Sequence, residues 1–235
     1  MNTVVITGSN GGIGSEICNF FKSKGWNVIG LDLQKTSYNK YADIYYKINL
    51  TKSGDIKKLF KNIKNIPNIK CFINCAAYQC CKPIWKYTEK EWDNSYNCNV
   101  KSLFLIVKFG LNIFKKYETN IINISSIHSQ ATSKHISAYA SSKAAIVGLT
   151  KNMAIDLSEF NIRVNSISPG AVNTTMLREH LSNEKLDYLQ SKHLLNKIGE
   201  PIQIAETCFF INNNTFFNGN NVIIDGGVLS QLSSE

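Results

Sequence analysis

Tyr139 and Lys143 stand four residues apart, and Ser126 lies 13 residues before the tyrosine. On a helix, positions i and i+4 share a face, so the phenol and the ammonium would be neighbours. A phenol with a pKa near 10 is a poor base at neutral pH. A cation beside it favours the phenolate, and a fall of about three units corresponds to about 4 kcal/mol. The Ser126 hydroxyl would orient a substrate oxygen while Tyr139 passes a proton to or from it. Hydride chemistry at the adjoining carbon calls for a nicotinamide. Taken alone, Tyr-x-x-x-Lys on a helix is commonplace and usually just surface.

A second stretch supplies the missing partner. Thr7-Gly8-Ser9-Asn10-Gly11-Gly12-Ile13-Gly14 separates an apolar strand, Val4–Thr7, from a helix carrying Ile13, Ile17, Phe20 and Phe21. Glycines let a backbone approach a pyrophosphate, and a helix start offers free N–H groups and the positive end of a dipole. Asp32 closes the second strand, Asn27–Leu33, 18 residues after Gly14. A carboxylate there accepts from a ribose 2′-hydroxyl and repels a 2′-phosphate, which favours NAD over NADP. Lys35 follows, and no arginine is near.

Regular elements must hold these groups. Further strands are expected at Cys71–Cys75, Asn120–Ser125, Ile162–Ser168 and Asn221–Ile224. Helices are expected at Ile56–Ile63, from about Lys90 to Lys116, over Ala138–Ser158, and from Pro201. Strands alternating with helices imply right-handed crossovers. The fold class is therefore α/β: a doubly wound parallel sheet in three layers, α/β/α. One domain is expected over residues 1–235, and the least regular long segment, about 171–200, is a candidate substrate cover. In such sheets ligands bind beyond the carboxyl ends of the strands.

Composition narrows the setting. At 235 residues and 43% hydrophobic content, the chain is long and apolar enough for an ordinary core. No run of 18 apolar residues suggests a membrane span, and the start, MNTVVITG, has no basic leader. Seven cysteines, at 18, 71, 75, 80, 81, 98 and 208, form no even framework and read as reduced cytoplasmic thiols. No C-x-x-C spacing or neighbouring histidine accompanies them, so no metal site is expected. The net charge is +9, and all but Arg163 and Arg178 of the 26 basic residues are lysine. Planar phosphate and base recognition usually favours arginine, so a nucleic-acid partner is not expected.

Together these residues resemble the single-domain short-chain dehydrogenase/reductases, over essentially the whole chain. The family's T-G-x-x-x-G-x-G matches Thr7, Gly8, Gly12 and Gly14; its S…Y-x-x-x-K matches Ser126, Tyr139 and Lys143. Asn99, in Asn99-Val100-Lys101-Ser102, matches the family asparagine that holds a water linking the lysine to a proton relay. Pro169-Gly170-Ala171-Val172-Asn173-Thr174 is similar to the segment that binds the nicotinamide carboxamide, and Ile224-Asp225-Gly226-Gly227 to the family's terminal strand end. The resemblance implies a Rossmann fold, with Asn99, Ser126, Tyr139 and Lys143 as the catalytic set. Cofactor contacts are implied at Gly8, Asn10, Gly12, Ile13, Gly14, Asp32, Asn49, Leu50, Asn74, Ala76, Pro169, Gly170, Val172 and Thr174, besides Tyr139 and Lys143. Two positions depart from the pattern. Ala77 replaces a glycine and would crowd the backbone near the adenosine ribose, and Asn49 stands where an acid often reads adenine.

The substrate side is less legible. Gln79, His128 and Gln130 are candidate contacts to a substrate carboxylate or hydroxyl; each reads equally as a solvated loop side chain. His135, His180 and His193 are expected at the surface, and Tyr188, Leu189, Leu194 and Leu195 would line the cover or pack on the core. The expected reaction is hydride transfer between NAD(H) and a small, polar secondary alcohol or ketone. The alternatives are an NADPH-dependent 3-oxoacyl-acyl carrier protein reductase and, more remotely, a non-catalytic nucleotide-binding module. The resemblance also implies a homotetramer, or a dimer, through the helix from Ala138 and the region Phe209–Ile224.

Overall fold

All five residues of β1 (Thr3–Thr7) are buried. A near-continuous apolar run of this kind suits a parallel sheet covered on both faces. The computed structural model describes residues 1–178 and 182–231. After β1 come α1 (Gly12–Ser23), β2 (Asn27–Asp32), β3 (Ile44–Lys47), α2 (Ser53–Ile63) and β4 (Ile69–Asn74). Then follow α3 (Glu89–Tyr96), α4 (Ser102–Tyr117), β5 (Asn120–Ile124), α5 (Ser137–Asp156) and β6 (Val164–Pro169). The chain continues through α6 (Thr175–Arg178), α7 (Asn183–Ser191), α8 (Pro201–Asn213) and β7 (Asn221–Ile224). Seven strands lie in the order β3-β2-β1-β4-β5-β6-β7, all parallel, which is the doubly wound Rossmann arrangement.

Alternation along the strands builds the two covering layers. Val4, Ile6, Val28 and Ile73 pack with Ile17 and Phe21 of α1 and with Ile204 and Cys208 of α8. Val5, Ile29, Phe72 and Ile121 pack with Phe60 of α2, Phe114 of α4 and Met153 of α5. The chain runs from β1 outward to β2, then returns to place β4 on the other side of β1. A crevice therefore opens beyond the carboxyl ends of β1 and β4, where the glycine turn and the loop after Asn74 face each other.

Three stretches differ from the sequence expectation. β3 is an edge strand paired only with β2, and its partly exposed Ile-Tyr-Tyr-Lys lacks clear alternation. The long helix expected from Lys90 to Lys116 is two helices joined by a π-turn at Asn97–Lys101. The segment 171–200 is more regular than expected. It carries α6 and α7, the latter started by Ser182, whose hydroxyl accepts from Lys185 N at 3.4 Å. Among the described residues no helix is long and apolar enough to cross a membrane.

Candidate active site

The glycine turn has the shape of a phosphate cradle. Gly8 adopts φ +68°, and a Cβ there would lie 2.8 Å from the Ala76 Cα. A Cβ on Gly14 would lie 2.1 Å from the Gly8 carbonyl oxygen, so only glycine lets the helix start this close to the strand end. Thr7 ties the turn to the facing loop: its hydroxyl accepts from Cys75 N at 3.0 Å and Ala76 N at 3.1 Å. Asp32 sits at the tip, accepting from Asn10 N at 3.0 Å and Leu33 N at 2.7 Å. The Asn10 side chain fastens the loop after β2, donating to Gln34 Oε1 at 2.8 Å and Thr36 O at 3.1 Å. Ile13 packs into the adjoining core. These backbone-lined surfaces and this carboxylate fit a dinucleotide's pyrophosphate and ribose.

The other implied cofactor residues vary in availability. Asn74 is buried and donates to Asn123 Oδ1 at 2.8 Å, tying β4 to β5, while its own Oδ1 has no partner. The Asn49 side-chain oxygen is taken by Thr51, from N at 3.0 Å and Oγ1 at 2.7 Å, so its amide nitrogen is the end left to meet a base. Leu50 is buried beside it. Ala77 is exposed, and its φ is not positive. On the opposite wall, Gly170 N donates to Ile224 O at 2.8 Å, and Val172 bridges to Gly199. A Cβ on Gly12 would lie 2.9 Å from Thr174 Cγ2, so the glycine turn and the segment after Pro169 touch.

The residues expected to transfer a proton converge at the carboxyl end of β5. Ser126 follows that strand; its hydroxyl accepts from His128 N at 3.2 Å and is near enough to the Tyr139 phenol to favour the phenolate. Lys143, only 2% exposed, donates its Nζ to Ile124 O at 2.7 Å and lies 5.4 Å from the Tyr139 ring centroid. Burial moves the pair apart: it pushes the Tyr139 phenol up to about 12 and the Lys143 ammonium down to about 8. The expected fall of the phenol's pKa is thus reversed in the protein alone. The physical reason is that desolvation outweighs the lowering influence of the Ser126 hydroxyl, while the lysine bonds a backbone carbonyl instead of the phenol oxygen.

Asn99 occupies the π-turn, a form of helix often found at functional sites. Its Oδ1 accepts from Tyr78 N at 2.7 Å; its Nδ2 donates to Tyr78 O at 3.0 Å and Ser142 Oγ at 2.9 Å. The side chain is thereby used up in clamping the loop after β4 to α5, one residue from Lys143. Sequence reasoning missed Tyr78, Ser142 and the clamping role of Thr7. The hydroxyl of the latter was legible in the motif, but nothing in the pattern tells which backbone groups will face it.

Of the substrate candidates, His128 is brought to the centre: its ring packs edge-on against Tyr139, with centroids 6.1 Å apart. Burial lowers its pKa, and its Nδ1 has no partner among the described residues. Gln130 is exposed, and exposed Gln79 donates to Cys81 Sγ at 3.6 Å. His135 is exposed, but the expectation fails for His193, which is 3% exposed. It is held by Leu189 O at 2.8 Å and packed on Gly226, where no side chain keeps it away. His180 lies outside the described residues. Tyr188, Leu194 and Leu195 remain exposed.

Comparison with known proteins points to dehydrogenases and reductases. A family model described as enoyl-(acyl carrier protein) reductase matches residues 8–229. An NAD-dependent glycerol dehydrogenase of Listeria innocua is 29% identical over 234 residues, covering 95% of this chain and 92% of its own. Dehydrogenase/reductase SDR family member 6 of Xenopus laevis is 30% identical over 237 residues, covering 95% of this chain and 96% of its own. Among solved structures, a 4-hydroxyisoleucine dehydrogenase complexed with NADH superposes with a TM-score of 0.91 at 28% identity, covering 99% of this chain and 100% of that one.

Proposed function

Because the chain belongs to the short-chain dehydrogenase/reductase family, we propose that it interconverts a small, uncharged polar secondary alcohol and its ketone, with NAD(H) as hydride carrier. The convergence of Ser126, Tyr139 and Lys143 at the end of β5 carries the reading. A bound nicotinamide supplies or accepts the hydride. The pyrophosphate would rest on Gly8 to Gly14, the adenosine ribose on Asp32, and the nicotinamide end against Pro169 to Thr174.

Tyr139 is the general acid/base. With its pKa pushed up to about 12, the phenol holds its proton at neutral pH and is ready to give it to a nascent alkoxide. In the oxidative direction it must lose that proton, and Lys143, brought down to about 8, is the neighbour able to exchange one near neutrality. Ser126 orients the reacting oxygen. Asn99 positions the wall of the site through Tyr78 and Ser142.

Asp32 supports NAD over NADP, since a 2′-phosphate would meet its charge. We read the assembly as a homotetramer in the cytoplasm. Ile155, Phe210, Phe216 and Ile223, all exposed on the α5 and α8–β7 sides, support self-association, and seven free thiols support a reducing compartment. Fluorescence titration with NADH and NADPH tests the cofactor reading. Tighter NADH binding is expected; tighter NADPH binding would bring forward the 3-oxoacyl-acyl carrier protein reductase.

A further inference from the structure

We propose that Glu200 is a positioning residue that clasps the nicotinamide-side loop through Asn173, an inference resting on the cofactor reading above. Glu200 stands at the start of α8, immediately before Pro201. Its two carboxylate oxygens accept from Asn173 Nδ2 at 3.0 and 3.1 Å. The backbone beneath repeats the tie: Asn173 N donates to Gly199 O at 2.8 Å, and Gly199 N to Ala171 O at 2.8 Å. Asn173 Oδ1 in turn accepts from Arg178 Nε of α6. The next residue, Thr174, is the one that touches Gly12 across the cleft.

A helix cap alone does not account for this carboxylate. Glu200 does cap α8: its side chain accepts from Gln203 N, and its own N–H donates to Gln203 Oε1 at 2.8 Å. Yet it also lines a cleft of about 530 Å³ together with Asn10, Gly11 and Gly12. A negative charge beside a diphosphate cradle opposes binding by like-charge repulsion. A neutral cap would serve the helix without that cost. The α8 N-terminus partly offsets the charge, and the bonds to Asn173 give it a use that serine or threonine, with one short hydroxyl, does not reproduce. Glu200 thereby holds the loop from Ala171 to Thr174 at a set distance from the glycine turn, where a nicotinamide must pass between them.

The test compares NADH with ADP-ribose, which has the diphosphate and both riboses but no nicotinamide. Glu200→Ala should weaken NADH binding about tenfold, the size expected for losing a charge-assisted hydrogen bond, and leave ADP-ribose within about twofold. Glu200→Gln keeps one acceptor and should recover most of the loss. Asn173→Ala should give the same pattern, and the double variant should be no weaker than either single one. Equal weakening of NADH and ADP-ribose, unchanged NADH binding, or additive losses would each overturn the clasp. Should Glu200→Ala fail to fold, Asn173→Ala with Glu200→Gln gives the same comparison. A native chain that binds neither NADH nor NADPH overturns the cofactor reading itself.

Discussion

The Lys143 ammonium donates to the Ile124 carbonyl at 2.7 Å while lying 5.4 Å from the Tyr139 ring centroid. One buried cation is thus tied to the end of the strand that precedes Ser126 and lies close to the phenol expected to handle the proton. Tyr139→Phe removes only the hydroxyl. Turnover should fall about 10³-fold, in the range for loss of a general acid/base, with NADH affinity within about twofold. Steady-state kinetics beside a fluorescence titration checks both. Retained turnover would remove Tyr139 from the chemistry.

Lys143 also links stability to pH. Its folded pKa of about 8 lies below its ordinary value of 10.5, so between those limits the unfolded chain binds more protons than the folded one. Stability contributed at this site therefore rises with pH across that window. Relative to Lys143→Met, which cannot titrate, the native chain should gain about 3 kcal/mol between pH 8 and 10.5. Tyr139 works in the opposite sense above pH 10, because its folded pKa of about 12 makes the folded state keep a proton that the unfolded state releases. Urea melts of the two proteins across pH give the difference directly. A constant difference would mean the ammonium is not desolvated.

Asn99→Ala should leave Tyr78 N, Tyr78 O and the Ser142 hydroxyl without their partner. Loss of buried hydrogen bonds of this kind costs about 1–3 kcal/mol. A lowered melting temperature together with reduced turnover is expected, and Asn99→Asp should repair the Tyr78 N contact alone. Reduced turnover at unchanged stability would point to a direct proton-relay role.

Much of this site was legible in the sequence because its residues repeat at spacings set by geometry. The glycine turn needs Gly8 at φ +68° and Gly14 against a carbonyl, and no other residue type serves. Tyr139 and Lys143 share a helix face by period alone. The illegible parts depend on tertiary partners. The π-turn at Asn99 has no sequence sign distinct from a helix. Edge strand β3 shows no clear alternation, its side chains being partly exposed along its length. The burial of His193 depends on Gly226, which lies far along the chain. The direction of the Tyr139 shift depends on how much water the fold excludes, which spacing does not encode.

Asp32 sets a prediction about cofactor choice. Its oxygens already accept from Asn10 N and Leu33 N, which hold the carboxylate at the cradle's tip. On the proposed reading, Asp32→Ala removes the acceptor for a ribose 2′-hydroxyl and the charge that would repel a 2′-phosphate. NADH affinity should fall about tenfold while NADPH affinity rises, so that the ratio of their dissociation constants shifts toward NADPH. An unchanged ratio would place the carboxylate outside the ribose site.

His128 carries a prediction about the class of substrate. Its ring lies against Tyr139, burial keeps it neutral at pH 7, and its Nδ1 has no partner among the described residues. A neutral imidazole beside Tyr139 suits a hydroxyl better than a carboxylate, which would want a cation. Lys143 is the buried cation nearby, and it is committed to Ile124 O. Small uncharged polyols and hydroxyketones should therefore be turned over faster than hydroxy acids of equal length. His128→Ala should raise the KM for such a substrate about fivefold, roughly 1 kcal/mol, with NADH binding unchanged. Gln130→Ala and Gln79→Ala should stay within about twofold, since Gln130 is exposed and Gln79 is turned to Cys81. Preference for hydroxy acids, with His128→Ala silent, would move substrate recognition away from this histidine.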